Sequence, residues 1–235
     1  MEQDFRTRLK ALARWIYESR YPVFFTGAGI STESGMFDYR GPDGVWTRQA
    51  KGLPPKQLKK PLSQMEPNRG HYALVELQNL GKLRFLISQN VDNLHNKSGI
   101  SPELLAELHG NALKVRCRSC GRKADKSLHL TQCMCGGKFT DSVVHFGQSL
   151  PQWELEQSIE HSRKSDLFVV LGSSLTVTPA TEMPNEALRN ASTLVIVNSD
   201  VTPFDSRAHL RFHEQVGEVM QRAIKQLKGF MGLYD

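Results

Sequence analysis

Four cysteines fall in one short stretch: Cys117 and Cys120 form a CxxC pair, and Cys133 and Cys135 a CxC pair. Gly121, Gly136 and Gly137 adjoin them. Two such knuckles suit one tetrahedral zinc with Zn–S bonds of ~2.3 Å, and four protein thiolates leave no open position for water. The zinc that this spacing calls for is therefore structural. The clustering also argues against a secreted disulfide framework.

A second group of residues suits a nucleotide. Gly27-Ala28-Gly29-Ile30-Ser31 follows a short apolar run. A glycine-rich turn between a strand and a helix lets backbone N–H groups approach a pyrophosphate. A plain tight turn explains Gly-x-Gly equally well, and the third glycine of the dinucleotide fingerprint is missing. Ser88-Gln89-Asn90-Val91-Asp92-Asn93-Leu94-His95 closes another apolar run. Its amides and carboxylate could grip ribose hydroxyls and a carboxamide, or Asp92 or Asn93 could simply cap a helix. His109, in Glu107-Leu108-His109-Gly110 and expected to enter a strand, is the natural base near neutral pH. Gly172-Ser173-Ser174 and Asn198 end two further runs, at positions suited to phosphate and ribose contacts.

These residues need elements to hold them. Leu9, Leu12, Ala13 and Ile16 recur at helical spacing, so residues 5–19 read as an amphipathic helix. Val23–Thr26, Leu83–Ser88, Leu167–Leu171 and Leu194–Asn198 read as buried strands. Helices are expected near 68–80, 152–164, 179–190 and 214–228. Continuous apolar strands alternating with helices imply a parallel sheet covered on both faces. Residues 35–67 lack periodicity and are long enough for a functional loop. Residues 114–140 interrupt the alternation and read as a small inserted lobe.

The 235 residues suit one large domain with such an insertion, and 39% hydrophobic content supports a real core. The longest apolar run falls far short of a membrane span, and Glu2 and Asp4 before any apolar stretch are unlike a secretory signal. The expectation is a soluble, cytoplasmic protein without a membrane partner, or a nuclear one in a eukaryote. A net charge of +6 favours acidic partners, though the Lys and Arg are scattered.

The runs GAGISTESG, DYRGPDGVW, SQNVDNLH, ELHGN, the CxxC…CxCGG knuckles, VVHFG, GSSL and VIVN stand in the order found in sirtuins, over residues 22–216. The chain resembles that family, and RGPDGVWT with SGISPELLAELHGN is most similar to its class IV branch, which includes nuclear deacylases of animals. The resemblance implies an α/β fold, a Rossmann-like NAD-binding domain (1–113 and 141–235) with a zinc-binding insertion (114–140). It implies an NAD-dependent protein lysine deacylase that releases nicotinamide and O-acyl-ADP-ribose, with NAD and zinc as cofactors and acylated-lysine proteins or peptides as partners.

Carried over to this chain, Gly27, Ala28, Gly29, Gly172, Ser173 and Ser174 would hold the pyrophosphate and adjoining ribose, and Asn198 the adenosine side. Gln89 and Asn90 would touch the nicotinamide ribose, Val91 and Asp92 the carboxamide. Tyr39 and Arg40 would lie on the loop closing over the cofactor. His109 would be the catalytic base, assisted by Asn90 and Asp92. Val144, Phe146 and Gly147 would pair with the substrate backbone as an added strand. Three residues depart from the family pattern: Phe37 replaces a proline, Tyr39 a phenylalanine and Gln148 a glutamate.

Three other readings use the same residues. A mono-ADP-ribosyltransferase needs the same NAD site, and a silent NAD sensor would bind without turnover. A zinc-ribbon nucleic-acid or chromatin binder would draw on Arg116, Arg118, Arg122 and Lys123, with affinity falling steeply in salt.

Overall fold

The computed structural model describes residues 4–233. Glu2 and the outermost residues of the expected large domain lie outside that range. Helix α1 (Phe5–Glu18) starts where the Asp4 carboxylate accepts from Thr7 N–H at 2.9 Å, and it leads into β1 (Pro22–Thr26). Then come α2 (Val45–Ala50), α3 (Arg69–Asn79), β2 (Phe85–Ser88), α4 (Leu94–Ser98) and β3 (Leu105–Glu107). A separate antiparallel sheet holds β4 (Lys114–Cys117), β5 (Lys123–Asp125) and β6 (Phe139–Asp141). The chain finishes with α5 (Gln152–Lys164), β7 (Leu167–Leu171), α6 (Glu182–Arg189), β8 (Thr193–Val197), β9 (Leu210–Phe212) and α7 (Val216–Phe230).

The main sheet has six parallel strands in the order β3-β2-β1-β7-β8-β9. Successive side chains of a strand point to opposite faces. Phe24, Leu86, Val169 and Val195 accordingly pack with α1, α3 and α7 on one side. Phe25, Ile87, Phe168, Val170 and Ile196 pack with α5 and α6 on the other. With both faces covered, the strands are apolar throughout, as parallel sheets require.

Local details differ from the sequence reading. β3 and β9 are three residues each, too short to leave a periodic signal, and neither was expected. The stretch 35–67 contains only the short α2 and a 3-10 turn, Leu62–Gln64, neither with a buried residue. Among the described residues no helix is long and apolar enough to cross a membrane.

Candidate active site

β1 and β7 are neighbours at the centre of the sheet, and strand order runs outward from them in both directions. Their carboxyl ends form a topological switch point, where a crevice must open. Gly27–Gly29 leaves β1 and Gly172–Ser174 leaves β7, and the two turns touch. Gly27 N–H donates to the Leu171 carbonyl at 3.1 Å, and Gly29 N–H to the Gly172 carbonyl at 2.8 Å. A Cβ at Gly29 would meet Gly172 Cα at 2.8 Å; one at Gly172, where φ is +66°, would come within 2.3 Å of Ile30 N. Only glycine allows so close an approach. The helix expected after the turn is a seven-residue 3-10 segment, Ala28–Ser34. Attraction for an anion therefore rests on nearby N–H groups, without the dipole of a long helix.

The segment after β2 crosses to both turns. Gln89 Nε2 donates to Ser173 Oγ at 2.8 Å, and Asn90 Nδ2 donates to Ser31 Oγ at 3.1 Å. Ser31 Oγ donates to Asp92 Oδ2 at 2.6 Å, while Asp92 Oδ1 accepts from Leu94 N–H at 2.9 Å. Asp92, one residue before the N-cap Asn93, thus satisfies the first N–H of α4, and the same carboxylate is held at the cleft wall. Asn93 takes φ +67° and makes no side-chain cap. Behind this wall lie His71 and His95, ring centroids 5.0 Å apart. Burial pushes each pKa down to about 3, so both are neutral.

His109 leaves β3; it does not enter a strand as the sequence suggested, because the chain turns at Gly110, where Gly110 N–H bonds the Glu107 carbonyl at 2.9 Å. Its Nδ1 lies 3.0 Å from the Gln89 carbonyl. A carbonyl only accepts, so Nδ1 carries the hydrogen and Nε2 holds the lone pair. Burial pushes the pKa below the ordinary histidine value, against an opposing pull from the Gln89 carbonyl. The ring is a neutral base at pH 7.

His109 and all the residues expected to touch cofactor or substrate, from Gly27 to Asn198, line one cleft of about 490 Å³. That size suits a ligand site of about 300–1,000 Å³. Asn198 turns its Nδ2 to the Asp200 carbonyl at 2.8 Å. Arg40 approaches Ser174 Oγ at 3.5 Å from the opposite rim. Val144 N–H is bonded to the His109 carbonyl at 2.9 Å. Phe146 and Gly147 form a turn closed by Gln148 N–H to the His145 carbonyl, with Gly147 at φ +82°. The strand edge expected at these two residues is a turn in this structure.

The cysteines lie apart from the cleft. Their four Sγ atoms lie within 4.8 Å of one another, with Cys117–Cys135 at 3.5 Å and Cys120–Cys133 at 3.7 Å. Bonds of ~2.3 Å to a tetrahedral ion put sulfurs about 3.8 Å apart, so the set fits zinc. Of the four basic residues beside them, Arg118 and Arg122 are exposed, whereas Arg116 and Lys123 turn inward. Arg116 donates through both terminal nitrogens to Glu154, at 2.9 and 2.8 Å. Lys123 Nζ sits 2.9 Å from both Glu107 and Glu154. Burial of those carboxylates turns both cations inward.

A family model described as the Sir2 family matches residues 56–179, more than half of the chain. The chain belongs to the Sir2 family. The NAD-dependent protein deacetylase of Oceanobacillus iheyensis is 37% identical over 230 residues, covering 88% of this chain and 96% of that protein. The NAD-dependent protein deacetylase SRT1 of Oryza sativa subsp. indica is 41% identical over 227 residues. That match covers 91% of this chain and 47% of the plant protein, so the chain spans about half the length of that relative. A solved Sir2 structure with a p53 peptide and NAD+ has a TM-score of 0.75 at 34% identity, covering 95% of this chain and 99% of the other.

In this Sir2-family chain the three departures all face the cleft. Lys56 Nζ lies 6.0 Å from the Phe37 ring centroid. Gln148 Oε1 accepts from His145 N–H at 2.9 Å, so its side chain is tied to its own turn. The Tyr39 ring lies 5.0 Å from Trp46, tilted by 51°, and Trp46 also meets Phe146 at 5.7 Å and the Arg40 guanidinium at 4.2 Å. Sequence reasoning passed over Trp46 and Ser31. Ser31 stood inside the glycine turn, but only the fold brings Asp92 and Asn90 to its hydroxyl.

Proposed function

We propose that the chain is an NAD-dependent protein lysine deacetylase, passing the acyl group of a lysine to ADP-ribose. One observation carries this reading: a neutral histidine, its Nδ1–H fixed by the Gln89 carbonyl, lines the same cleft as two glycine turns too close for any side chain. When bound, NAD supplies an anomeric carbon that exchanges nicotinamide for the acyl oxygen. Ala28, Gly29, Ser173 and Ser174 hold the pyrophosphate and adjoining ribose, with Gly27 and Gly172 keeping the turns in contact. Gln89 and Asn90 meet the nicotinamide ribose, Val91 and Asp92 the carboxamide, and Asn198 the adenosine side. Tyr39 and Arg40 cover the cleft, and Val144, Phe146 and Gly147 receive the acylated peptide.

His109 then takes the proton of a ribose hydroxyl at Nε2, a step worth typically ~10²–10⁴-fold. Burial aids it, because a pKa held below the ordinary value keeps the base free at neutral pH. Cys117, Cys120, Cys133 and Cys135 hold a structural zinc. Clustered thiolates suit a reducing compartment, and the cytoplasm is the proposed location.

The test is incubation with NAD and an acetyl-lysine peptide, with mass spectrometry of the products. Nicotinamide and O-acetyl-ADP-ribose are expected, and His109→Ala should abolish O-acetyl-ADP-ribose formation and sustained turnover, leaving at most one nicotinamide released per site, while NAD still raises the melting temperature. A protein-bound ADP-ribose adduct without deacetylation would make the chain a mono-ADP-ribosyltransferase instead. Full turnover by His109→Ala would remove the base from the mechanism.

A further inference from the structure

The cysteine lobe meets the body through charge. Arg116 and Lys123 face each other in register on β4 and β5, as the pair next to the turn that carries Cys117 and Cys120. Both reach Glu154, whose side chain is 1% exposed in the first turn of α5. Lys123 also reaches Glu107, whose side chain is 5% exposed at the end of β3. The other Glu107 oxygen accepts from Asn96 Nδ2 at 2.9 Å and from Asn111 Nδ2 at 2.6 Å. Asn111 Nδ2 further donates to Asn93 Oδ1 at 2.8 Å.

The Glu107 carboxylate therefore grips two pieces of chain. One is the turn from residue 107 to 111, which contains His109. The other is α4, through Asn96, the helix that follows the Asp92 segment. Taking a carboxylate out of water is costly unless a cation sits beside it. Lys123 is that cation for Glu107, and its position is set by the hairpin on which the cysteines sit.

We infer that Lys123 is a positioning residue for the proposed deacetylation: by neutralising Glu107 it fixes the His109 turn against the Asp92 segment, linking the cysteine lobe to turnover. This rests on the deacetylase reading for its kinetic consequence. The geometric part, that the turn loosens without Lys123, stands independently of it.

Lys123→Met leaves Glu107 buried and unneutralised while sparing every sulfur. Zinc content should stay at one per chain and ADP-ribose affinity should be unchanged, because the β1 and β7 turns are untouched. The kcat should fall about 10- to 100-fold, the scale of a small misplacement of a catalytic group. Amide exchange at Gly110 and Ala112, which bond to Glu107 and Val91 carbonyls, should accelerate. Lys123→Arg, which keeps the charge, should recover most of the rate and the protection.

A merely structural lysine would lower the melting temperature and leave kcat per folded molecule unchanged; that result overturns the inference. So does a slowed enzyme whose exchange at 110 and 112 matches wild type. Should Lys123→Met not fold, Lys123→Gln removes the charge but keeps a polar tip beside Glu107, and full rate with full protection there overturns it. If wild type itself shows no turnover, the functional reading fails, and the exchange data alone decide whether Lys123 holds the turn.

Discussion

In the six-stranded body, Phe24, Phe25, Phe85, Phe168 and Phe212 are all almost wholly buried, and apolar contact on both faces of the sheet holds it together. In the lobe between Lys114 and Asp141 the buried residues are only Cys117, Cys133 and Gly137. A three-stranded sheet of ten residues in all cannot bury enough surface to offset its chain entropy. Four sulfurs and a few charged contacts substitute for a core. Water-driven packing is tolerant of shape, whereas ligand geometry and ion pairing are not, so the two regions should respond to different insults.

The largest separation should come from chelation. Structural zinc contributes ~10–16 kcal/mol of apparent binding free energy in small domains. Removing it, or making Cys117→Ser, should unfold the lobe by amide exchange while β1, β7 and β8 keep their protection. Active protein found free of zinc by elemental analysis would break the comparison. The converse insult is Phe168→Ala, which should cost about 3–5 kcal/mol and lower the melting temperature of the body. Zinc stoichiometry of the folded variant should not change, and loss of metal would mean that the lobe depends on core packing after all.

Acid should also find the body first. His71 and His95 have folded pKa values of about 3, below the unfolded 6.5, so the unfolded chain binds more protons below that pH. Their contribution is present above pH 6.5 and is lost as pH falls toward 3, by up to about 1.4 kcal/mol per pH unit for each histidine. Denaturation midpoints measured from pH 7 to 5 should fall for wild type and fall less for His95→Gln. Smallest is Phe37→Pro on the cofactor loop, expected to tighten NAD binding by less than ~1 kcal/mol through reduced freedom of the free loop. Weaker binding by calorimetry would show that the Phe37 ring itself contributes to the cleft.

The body was legible because its strands are apolar on both faces and its helices carry a 3.6-residue stripe, as Leu9, Leu12, Ala13 and Ile16 do in α1. The cysteine site was legible because ligand spacing is local. β3 and β9 were not, since three residues carry no period. The direction of the chain at His109 depended on β3 and was misread with it. The inward turn of Arg116 and Lys123 was invisible for another reason. Whether a cation faces water depends on where Glu107 and Glu154 end up, and nothing near residue 116 or 123 announces a carboxylate from another element.

The order of strands also divides the cleft by ancestry along the chain. Gly27, Asn90 and His109 come from the segment before the cysteine lobe, and Ser173 and Asn198 from the segment after it, and in the sheet the two segments meet at β1 and β7. The exposed stretch from residue 125 to 132 lies between them, a natural place for a nick. Two fragments split there would each carry three neighbouring strands of the parallel sheet and part of the cleft lining. Nucleotide binding would then report their reassembly, making the chain a two-piece sensor for whatever brings the halves together.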